Sequence, residues 1–301
     1  MFRKIVIVEH INMLPEDLEK LNKYADSVTY FDDLPENDEV IISRIGDADC
    51  VLVSYTSKLG SNILSKCPNI KYVGMCCSLY SPESANVDIK YCESRGIVVK
   101  GIRDYGDEGV VEYVIHELSG FLQGFNRELE WSEYPEEICS LKCSVIGLGT
   151  SGTLIAKALK FFGADVSYYS RTRKESLEKE LGITYKSLND AVKDSDAIFL
   201  ALNKNALLLK EEQFALMSGK KILFNTSIGP GFEQVPFEKW LKDSNHYFFG
   251  DTLATIGNND LWELPNTFTI NRSSGGKTHE AYRRLGKKVI ENLESFLDTQ
   301  K

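Results

Sequence analysis

The chain has 301 residues, 43% of them hydrophobic and 26% charged, a composition typical of globular proteins long enough for two domains. The net charge of −9 argues against a nucleic-acid partner, which would require a basic face, and no stretch approaches the roughly 18 apolar residues of a membrane span. The seven scattered cysteines predict neither a disulfide framework nor a metal site. We expect a cytoplasmic protein.

Short β-branched runs alternate with amphipathic stretches along the whole chain. The first predicted strands are Lys4–Val8, Val28–Phe31, Cys50–Val53, Ile70–Met75 and Ile97–Lys100. The later ones are Cys143–Gly147, Val166–Ser170, Ile183–Tyr185, Ala197–Leu202, Lys221–Thr226, Tyr247–Asp251 and Thr267–Ile270. Helical segments between strands predict right-handed crossovers. The fold class is therefore α/β, with two lobes that are each a doubly wound, mainly parallel sheet.

Two longer helices are predicted in addition to the crossover helices. The first, Asp107–Leu129, opens with two acidic residues, as helix starts favour. It has a stripe of apolar residues at helical spacing: Val111, Val114, Ile115, Leu118, Leu122 and Phe125. The second, Lys277–Leu297, follows the last strand and could pack on either lobe.

A glycine array follows the sixth predicted strand and opens a helix. It reads Gly147, Leu148, Gly149, Thr150, Ser151 and Gly152. This G-x-G-x-x-G pattern between a strand and a helix allows a tight turn, a close approach of the backbone to a pyrophosphate and close helix–strand packing. The pattern predicts a Rossmann-type dinucleotide site, with a bare strand–helix turn as the alternative.

The residues that close the next strand bear on the choice of dinucleotide. An NAD site usually has an acidic residue there, whereas this chain has Ser170, Arg171 and Thr172, with no acidic residue before Glu175. A guanidinium can bind a 2′-phosphate with two parallel hydrogen bonds. NADP is therefore the favoured cofactor and NAD the alternative. If the basic residues of this turn are merely solvated, the choice between the two cofactors stays open.

Several segments together resemble the D-2-hydroxyacid dehydrogenase family. They are Asn86–Asp88, Arg95–Val99, Tyr105, Val110–Glu112, the glycine array, Phe224–Thr226 and Gly250–Asp251. The resemblance implies a flavodoxin-like substrate lobe of residues 1–101 with 277–301 and a Rossmann cofactor lobe of residues 102–276. It also implies a cleft between the lobes, a small-molecule substrate and a homodimer joined through the cofactor lobes. It places Leu202, Asn203, Thr226 and Asp251 near the cofactor, and assigns the substrate's acid group to backbone N–H groups around Cys77, Ser78 and Leu79.

The chain departs from the family pattern at the three catalytic positions. The family's Arg clamps the substrate carboxylate and carbonyl, its His exchanges the proton and its Glu orients that His. The resemblance puts Ile228 at the Arg position and Asn271 at the His position, and Thr252–Asn259 contains no Glu. Isoleucine cannot donate a hydrogen bond, and neutral asparagine cannot exchange a proton near pH 7 as imidazole does.

Two residues are candidates to replace the missing groups. Tyr105 is a candidate proton donor, with an aromatic wall as the alternative, and Asn271 is a candidate donor to a carbonyl oxygen, with a plain turn residue as the alternative. We expect an NADP-linked oxidoreductase whose substrate is not a simple 2-keto acid, such as one with an activated C=N or C=C bond. A catalytically silent dinucleotide-binding regulator and an ordinary 2-hydroxyacid dehydrogenase are the alternatives.

Overall fold

The computed structural model describes residues 1–125, 127–203, 206–270 and 274–300. The chain divides into two compact units, residues 1–105 with 278–301 and residues 106–277. Each unit contains one sheet in which all strand pairs are parallel. The predicted α/β class with two mainly parallel sheets is confirmed.

The first unit has a five-stranded sheet of order β2-β1-β3-β4-β5. The strands are β1 Phe2–Ile7, β2 Ala25–Tyr30, β3 Cys50–Val53, β4 Tyr72–Ser78 and β5 Val98–Ile102. The helices are α1 Pro15–Lys20, α2 Asp38–Ile45, α3 Ser61–Leu64, α4 Ile89–Ser94 and the terminal α11 His279–Asp298. Alternate residues of β3 enter two different cores, Val51 and Val53 on one face and Cys50 and Leu52 on the other, so both faces of the sheet are buried.

The terminal helix α11 packs on the first sheet. Its apolar residues at helical spacing, Leu285, Val289 and Phe296 among them, are buried in the core that contains Phe2. The Phe2 and Phe296 rings stack with centroids 5.4 Å apart. Burial of this stripe joins the C-terminal segment to the N-terminal unit.

The second unit has a seven-stranded sheet of order β12-β11-β10-β9-β6-β7-β8. The strands are β6 Lys142–Ile146, β7 Asp165–Tyr169, β8 Thr184–Tyr185, β9 Ala197–Leu200, β10 Lys221–Asn225, β11 His246–Gly250 and β12 Thr267–Thr269. The helices are α5 Asp107–Gln123, α6 Thr150–Phe161, α7 Glu175–Leu181, α8 Leu188–Asp194, α9 Glu211–Leu216 and α10 Gln234–Leu241. The strand order reverses direction between β6 and β9, and such switch points are where open α/β sheets bind ligands.

Several predicted boundaries are wrong; β2, for example, begins at Ala25 rather than Val28. Helix α5 ends at Gln123 rather than Leu129, because Gly124 takes the left-handed conformation with φ 67° and caps the helix, which leaves the side chain of Phe125 exposed. Strand β4 continues to Ser78 rather than stopping at Met75, since an irregularity in its pairing with β5 lets the strand bend and continue.

Candidate active site

The turn between β6 and α6 is shaped by two glycines that the fold itself requires. Gly147 has φ 101°, and a Cβ there would overlap the backbone oxygen of Ala201. A Cβ on Gly152 would overlap the backbone oxygen of Gly147. A larger residue at position 152 would push α6 away from the sheet, and one at position 147 would push the turn away from the end of β9.

Gly149 differs from Gly147 and Gly152 because no contact within the fold requires a glycine at this position. A Cβ at this position would meet no atom within 4 Å, and its φ of −82° suits any residue. The missing side chain instead leaves open space directly before the first turn of α6, where helix N–H groups have no intrahelical acceptor. This is the arrangement that lets a backbone approach a pyrophosphate at the positive end of a helix.

The hydroxyl of Ser151 already has a partner inside the unit. It donates a short hydrogen bond to the carboxylate of Asp107, the first residue of α5. Ser151 and Thr150 can therefore contribute their backbone N–H groups to an anion as part of the helix start. Asp107 was not among the predicted site residues, since 44 residues of chain separate it from Ser151.

The loop after β7 holds its two arginines differently. Arg173 donates from Nε and Nη2 to the two carboxylate oxygens of Glu178, each at 2.8 Å. The exposed Arg171 has no hydrogen bond or ion pair with any residue that the structure describes. Ser170 donates to the backbone oxygen of Thr172 at 2.6 Å, which shapes the loop. Of the two guanidinium groups, that of Arg171 is the one available to a ligand.

Leu202 and Thr226 lie at the carboxyl ends of β9 and β10. The N–H of Leu202 donates to Ser227 Oγ at 2.9 Å, and the hydroxyl of Thr226 donates to the Leu200 backbone oxygen at 2.9 Å. These bonds fix the two strand ends to each other. Asn203, which follows Leu202, is exposed.

The buried amide of Asn225 organises the loop that follows β10. Its Nδ2 donates to the backbone oxygens of Gly229 and Thr255, at 3.1 and 2.9 Å, and its Oδ1 accepts from the N–H of Ser227 at 3.0 Å. The side chain of Ile228 stands on this loop and is 58% exposed. The position that the resemblance assigns to the carboxylate clamp therefore presents an apolar side chain on a fixed backbone.

Asp251 is a buried acid at the carboxyl end of β11. Its Oδ2 accepts from Ser274 Oγ at 3.0 Å, while its Oδ1 has no hydrogen-bond partner among the described residues. Burial raises the pKa of Asp251 to about 6, against the lowering effect of hydrogen bonds from Ser274 and Gly275. A buried oxygen without a partner is costly, so this atom is suited to accept a hydrogen bond from a ligand amide.

We expect Asp251→Asn to stabilise the ligand-free protein at pH 7 by about 3 kcal/mol. In wild type, the unfolded acid ionises near pH 4 and the folded acid only near pH 6. The stability that wild type has below pH 4 is therefore lost as the pH rises to 6 and above. The neutral amide has no such loss.

Urea unfolding between pH 4 and 8 tests this expectation. The difference between Asp251→Asn and wild type should appear above pH 6 and shrink towards pH 4, while the exposed Asp260→Asn serves as the control. A difference that is independent of pH would show that the pKa of Asp251 is the same in the folded and the unfolded protein, and would contradict this expectation.

In the first unit, the predicted substrate segment is largely part of the sheet. Cys77 and Ser78 belong to β4, and the N–H of Leu79 donates to the Ile102 backbone oxygen at 3.1 Å. The Leu79 N–H is thus engaged, which corrects the expectation that it is open to a substrate. Cys77 is buried and Ser78 half-buried.

Tyr105 is packed beside the core of the first unit. Burial raises its pKa to about 12, although a hydrogen bond with Ser78 acts in the opposite direction. The backbone oxygen of Tyr105 accepts from Arg284 Nε at 2.8 Å. A phenol with this pKa holds its proton firmly near neutral pH, which favours the aromatic-wall alternative over proton donation.

Two polar groups at the end of β1 were missed by the sequence reasoning. The first is Glu9, whose carboxylate is fully buried and accepts from Ser54 N, Ser57 N and Ser57 Oγ at 2.8–3.1 Å. It holds the segment that follows β3. Its place directly after the apolar run Ile5–Val8, at a carboxyl strand end, was the available signal.

The second missed group is His10. Its Nδ1 lies 2.6 Å from Asp32 Oδ1 and 3.1 Å from the hydroxyl of Tyr30, at the neighbouring end of β2. The hydrogen bond from Tyr30, followed by that from His10, lowers the pKa of Asp32. All three side chains are exposed.

None of the four histidines follows a strand of the second sheet. His246 begins β11, at the amino end of that strand, and its ring stacks on Trp240. His116 is exposed on α5, while His10 and His279 belong to the first unit. The candidate Asn271 lies outside the described residues.

The described part of the chain offers neither a metal site nor a membrane-spanning helix. It contains no group of three or more His, Cys, Asp or Glu side chains placed to hold a metal ion. None of its helices is both long and apolar enough to cross a bilayer.

Comparisons with known proteins give a consistent result. The profile "D-isomer specific 2-hydroxyacid dehydrogenase, catalytic domain" matches residues 5–301. A glyoxylate reductase of Korarchaeum cryptofilum is 25% identical, over 94% of this chain and 90% of the relative. A hydroxypyruvate reductase of Blautia hydrogenotrophica is 27% identical, over 98% of this chain and 97% of the relative.

Two solved structures share the fold across almost the whole chain. An acyclic imino acid reductase (Bsp5) in complex with NADPH and D-Arg has a TM-score of 0.81 at 23% identity, covering 98% of this chain and 97% of that one. The apo-structure of D-lactate dehydrogenase from Escherichia coli has a TM-score of 0.80 at 20% identity, covering 99% and 97%.

Proposed function

The chain belongs to the D-isomer specific 2-hydroxyacid dehydrogenase family, whose members are NAD(P)-dependent oxidoreductases, and from this premise we propose that it is an NADPH-dependent reductase of imino acids. Its substrate would carry a C=N bond beside a carboxylate, in place of the C=O bond of a simple 2-keto acid. The single observation that carries the proposal is Ile228, an exposed apolar side chain where the resemblance expects an arginine clamp.

The described residues of the second unit fit a bound dinucleotide. Gly149 leaves open space before the first turn of α6, Arg171 has a free guanidinium, and Asp251 has a buried oxygen without a partner. In this arrangement the N–H groups of Thr150 to Gly152 would bind the pyrophosphate and Arg171 the 2′-phosphate. Asp251 would accept from the carboxamide. The bound cofactor would supply the hydride.

The replacement of the family's Arg and His by Ile228 and Asn271 favours an imine substrate on chemical grounds. When a ketone carbon accepts a hydride, the oxygen gains a negative charge, and a protein group must stabilise that charge and deliver a proton. A protonated imine already carries its proton. Its carbon accepts the hydride, the C=N π electrons become the nitrogen lone pair, and a neutral amine results. No side chain has to donate a proton in that step.

The fold match to an acyclic imino acid reductase supports this choice of substrate class. That protein is described with NADPH and D-Arg, a cofactor and an amino acid consistent with reduction at a C=N bond. At 23% identity the match shows a shared fold, so the residue argument above carries the substrate proposal.

Following NADPH oxidation by absorbance tests the function. Purified protein would be incubated with a 2-keto acid alone, with the same acid and excess ammonium or methylamine, and with amine alone. We expect turnover only where keto acid and amine are both present. Equal turnover with the keto acid alone would indicate an ordinary 2-hydroxyacid dehydrogenase. Tight NADPH binding without turnover in any arm would indicate a catalytically silent binder.

We expect Arg171→Ala to weaken NADPH binding about tenfold or more while leaving NADH binding unchanged. Only NADPH carries the 2′-phosphate that this guanidinium would bind. Arg173→Ala is the matched control, because its guanidinium is already paired with Glu178. Calorimetric titration of both variants with both nucleotides measures the effect. Equal weakening of NADPH binding by both substitutions would contradict the role of Arg171.

A homodimer joined through the second unit is the proposed assembly. The exposed aromatic pair Phe161 and Phe162 at the end of α6, with ring centroids 5.3 Å apart, is one surface suited to it. We expect Phe161→Asp to halve the mass measured by light scattering. The equally exposed Val235→Asp on α10 should not change that mass. A wild-type monomer would contradict the proposal.

A further inference from the structure

We propose that a groove on the first unit binds a small polyanion, a molecule with at least two phosphate or carboxylate groups. The groove encloses about 500 Å³ between the Leu79–Pro82 segment, β5 and α11. This volume lies within the range of small-molecule sites. The groove belongs wholly to the first unit, whereas the glycine loop belongs to the second, so this inference does not rest on the choice of cofactor or of substrate class. Leu79 is common to the groove and to the predicted substrate segment.

Three cationic side chains from two separate places in the sequence line this groove. Lys100 lies on β5, Arg103 follows that strand, and Lys288 lies on α11. No acidic side chain is among the lining residues. The whole chain has 44 acidic against 35 basic residues, so a purely cationic lining is a local reversal of its charge. Converging cations in a lining without acidic side chains favour an anionic ligand.

Arg103 is held in place from two sides. Its Nε and Nη2 donate to the backbone oxygens of Leu79 and Tyr80, at 2.6 and 2.7 Å. Its guanidinium also lies over the Tyr80 ring, 5.4 Å from the centroid. A guanidinium fixed in this way loses little conformational freedom on binding, and its remaining N–H groups can still meet an oxyanion.

The two lysines differ in how far they are engaged. Lys100 Nζ donates to Ser295 Oγ at 2.8 Å and keeps further donors, since an ammonium has three. Lys288 has no hydrogen bond or ion pair within the part of the chain that the structure covers. A half-buried lysine whose ammonium has no anionic partner among the described residues gains most from an anionic ligand.

The acidic residues of α11 near Lys288 are engaged elsewhere. Glu291 lies 3.8 Å from the ammonium of Lys287, and Glu294 accepts from the hydroxyl of Tyr24 at 2.6 Å. On the groove side the helix presents Asn292, whose amide donates to the Gly101 backbone oxygen at 3.1 Å. Neither carboxylate thus neutralises the groove, and α11 is tied to β5 beneath it.

Titration calorimetry with inorganic pyrophosphate and with citrate, on the full-length protein in low-salt buffer without divalent cations, tests the proposal. The key variant is Lys288→Gln. Lys287→Gln is the matched control, because it removes the same charge one residue away, from a side chain paired with Glu291. We expect wild type to bind at least one probe, Lys288→Gln to weaken that binding about tenfold, and Lys287→Gln to leave it unchanged.

The probes also separate the two ligand sources. Binding of pyrophosphate alone would identify a phosphorylated ligand, and binding of citrate alone a polycarboxylate; either supports the site. Pyrophosphate binding that NADPH abolishes and Lys288→Gln preserves would belong to the glycine loop and would overturn the proposal. So would the absence of binding, or equal weakening by both lysine variants. If Lys288→Gln does not fold, Lys100→Gln replaces it with the same expected result.

Discussion

Replacing Gly149 by valine should lower NADPH affinity by about 100-fold or more, because a side chain would then occupy the space where several charge-assisted hydrogen bonds to the pyrophosphate form. The fold should tolerate the change. The added atoms meet nothing within 4 Å at Cβ, and the backbone angles of Gly149 are ordinary. Losing glycine at the helix N-cap costs at most about 1 kcal/mol.

Gly152→Val is the control for Gly149→Val, because it adds the same side chain at a glycine that the fold requires. Its side chain would overlap the Gly147 backbone oxygen and press on Val145, so we expect a loss of about 3 kcal/mol in unfolding free energy. The two variants therefore separate a glycine kept open for a ligand from one that the fold needs. Urea unfolding and NADPH titration of both variants measure this. If Gly149→Val is folded and binds NADPH normally, the pyrophosphate does not bind at the glycine loop, and the assignment is wrong.

The second large effect is expected at Ile228. Ile228→Arg should raise kcat/KM for a simple 2-keto acid by about 10- to 100-fold, because a guanidinium can bind the substrate carboxylate through two parallel bonds. Ile228 is more than half exposed on a loop fixed by Asn225, so a longer side chain fits without repacking. Ile228→Lys is the matched control. Its point charge cannot form the two-pronged contact and should give a smaller gain.

Adding a histidine at position 271 to the Ile228→Arg variant tests whether the family's Arg and His act together. The Ile228→Arg and Asn271→His double variant should gain more keto-acid turnover than the product of the two single gains, because general acid–base assistance is worth about 10²–10⁴-fold when the substrate is held in place. Steady-state kinetics of the four proteins form the cycle. A wild type that already reduces keto acids as fast as the double variant would show that the family's Arg and His have been replaced by groups elsewhere.

The fold was largely predictable from the sequence, and the reasons are local. Buried β-branched runs such as Ile222–Phe224 mark parallel strands, and the glycine array marks the turn between β6 and α6. The end of α5 was also signalled, by Gly124, but the apolar Phe125 beyond it misleadingly extended the helical stripe. The length of β4 was not signalled, since Cys76–Ser78 has no strong preference for a strand.

The candidate site was less predictable because its contacts join distant residues. Arg171 and Arg173 are equivalent in the sequence, and only the bond from Arg173 to Glu178 distinguishes them. The bond between Ser151 and Asp107 spans 44 positions, and the pairing of His10 with Asp32 spans 22. A single sequence carries no information on such pairs, because they depend on which strand ends the sheet order brings together.

In a binding loop, the shape of the backbone and the identity of the side chain that faces the ligand usually change together. The hydrogen bonds of Asn225 separate these two properties. The backbone after β10 takes its shape from an amide beneath it, so that shape does not depend on which side chain stands at position 228. A library randomised at this one position should therefore yield mostly stable proteins that differ in substrate preference. On such a loop, single substitutions can change substrate specificity without lowering stability, so no second substitution is needed to restore it.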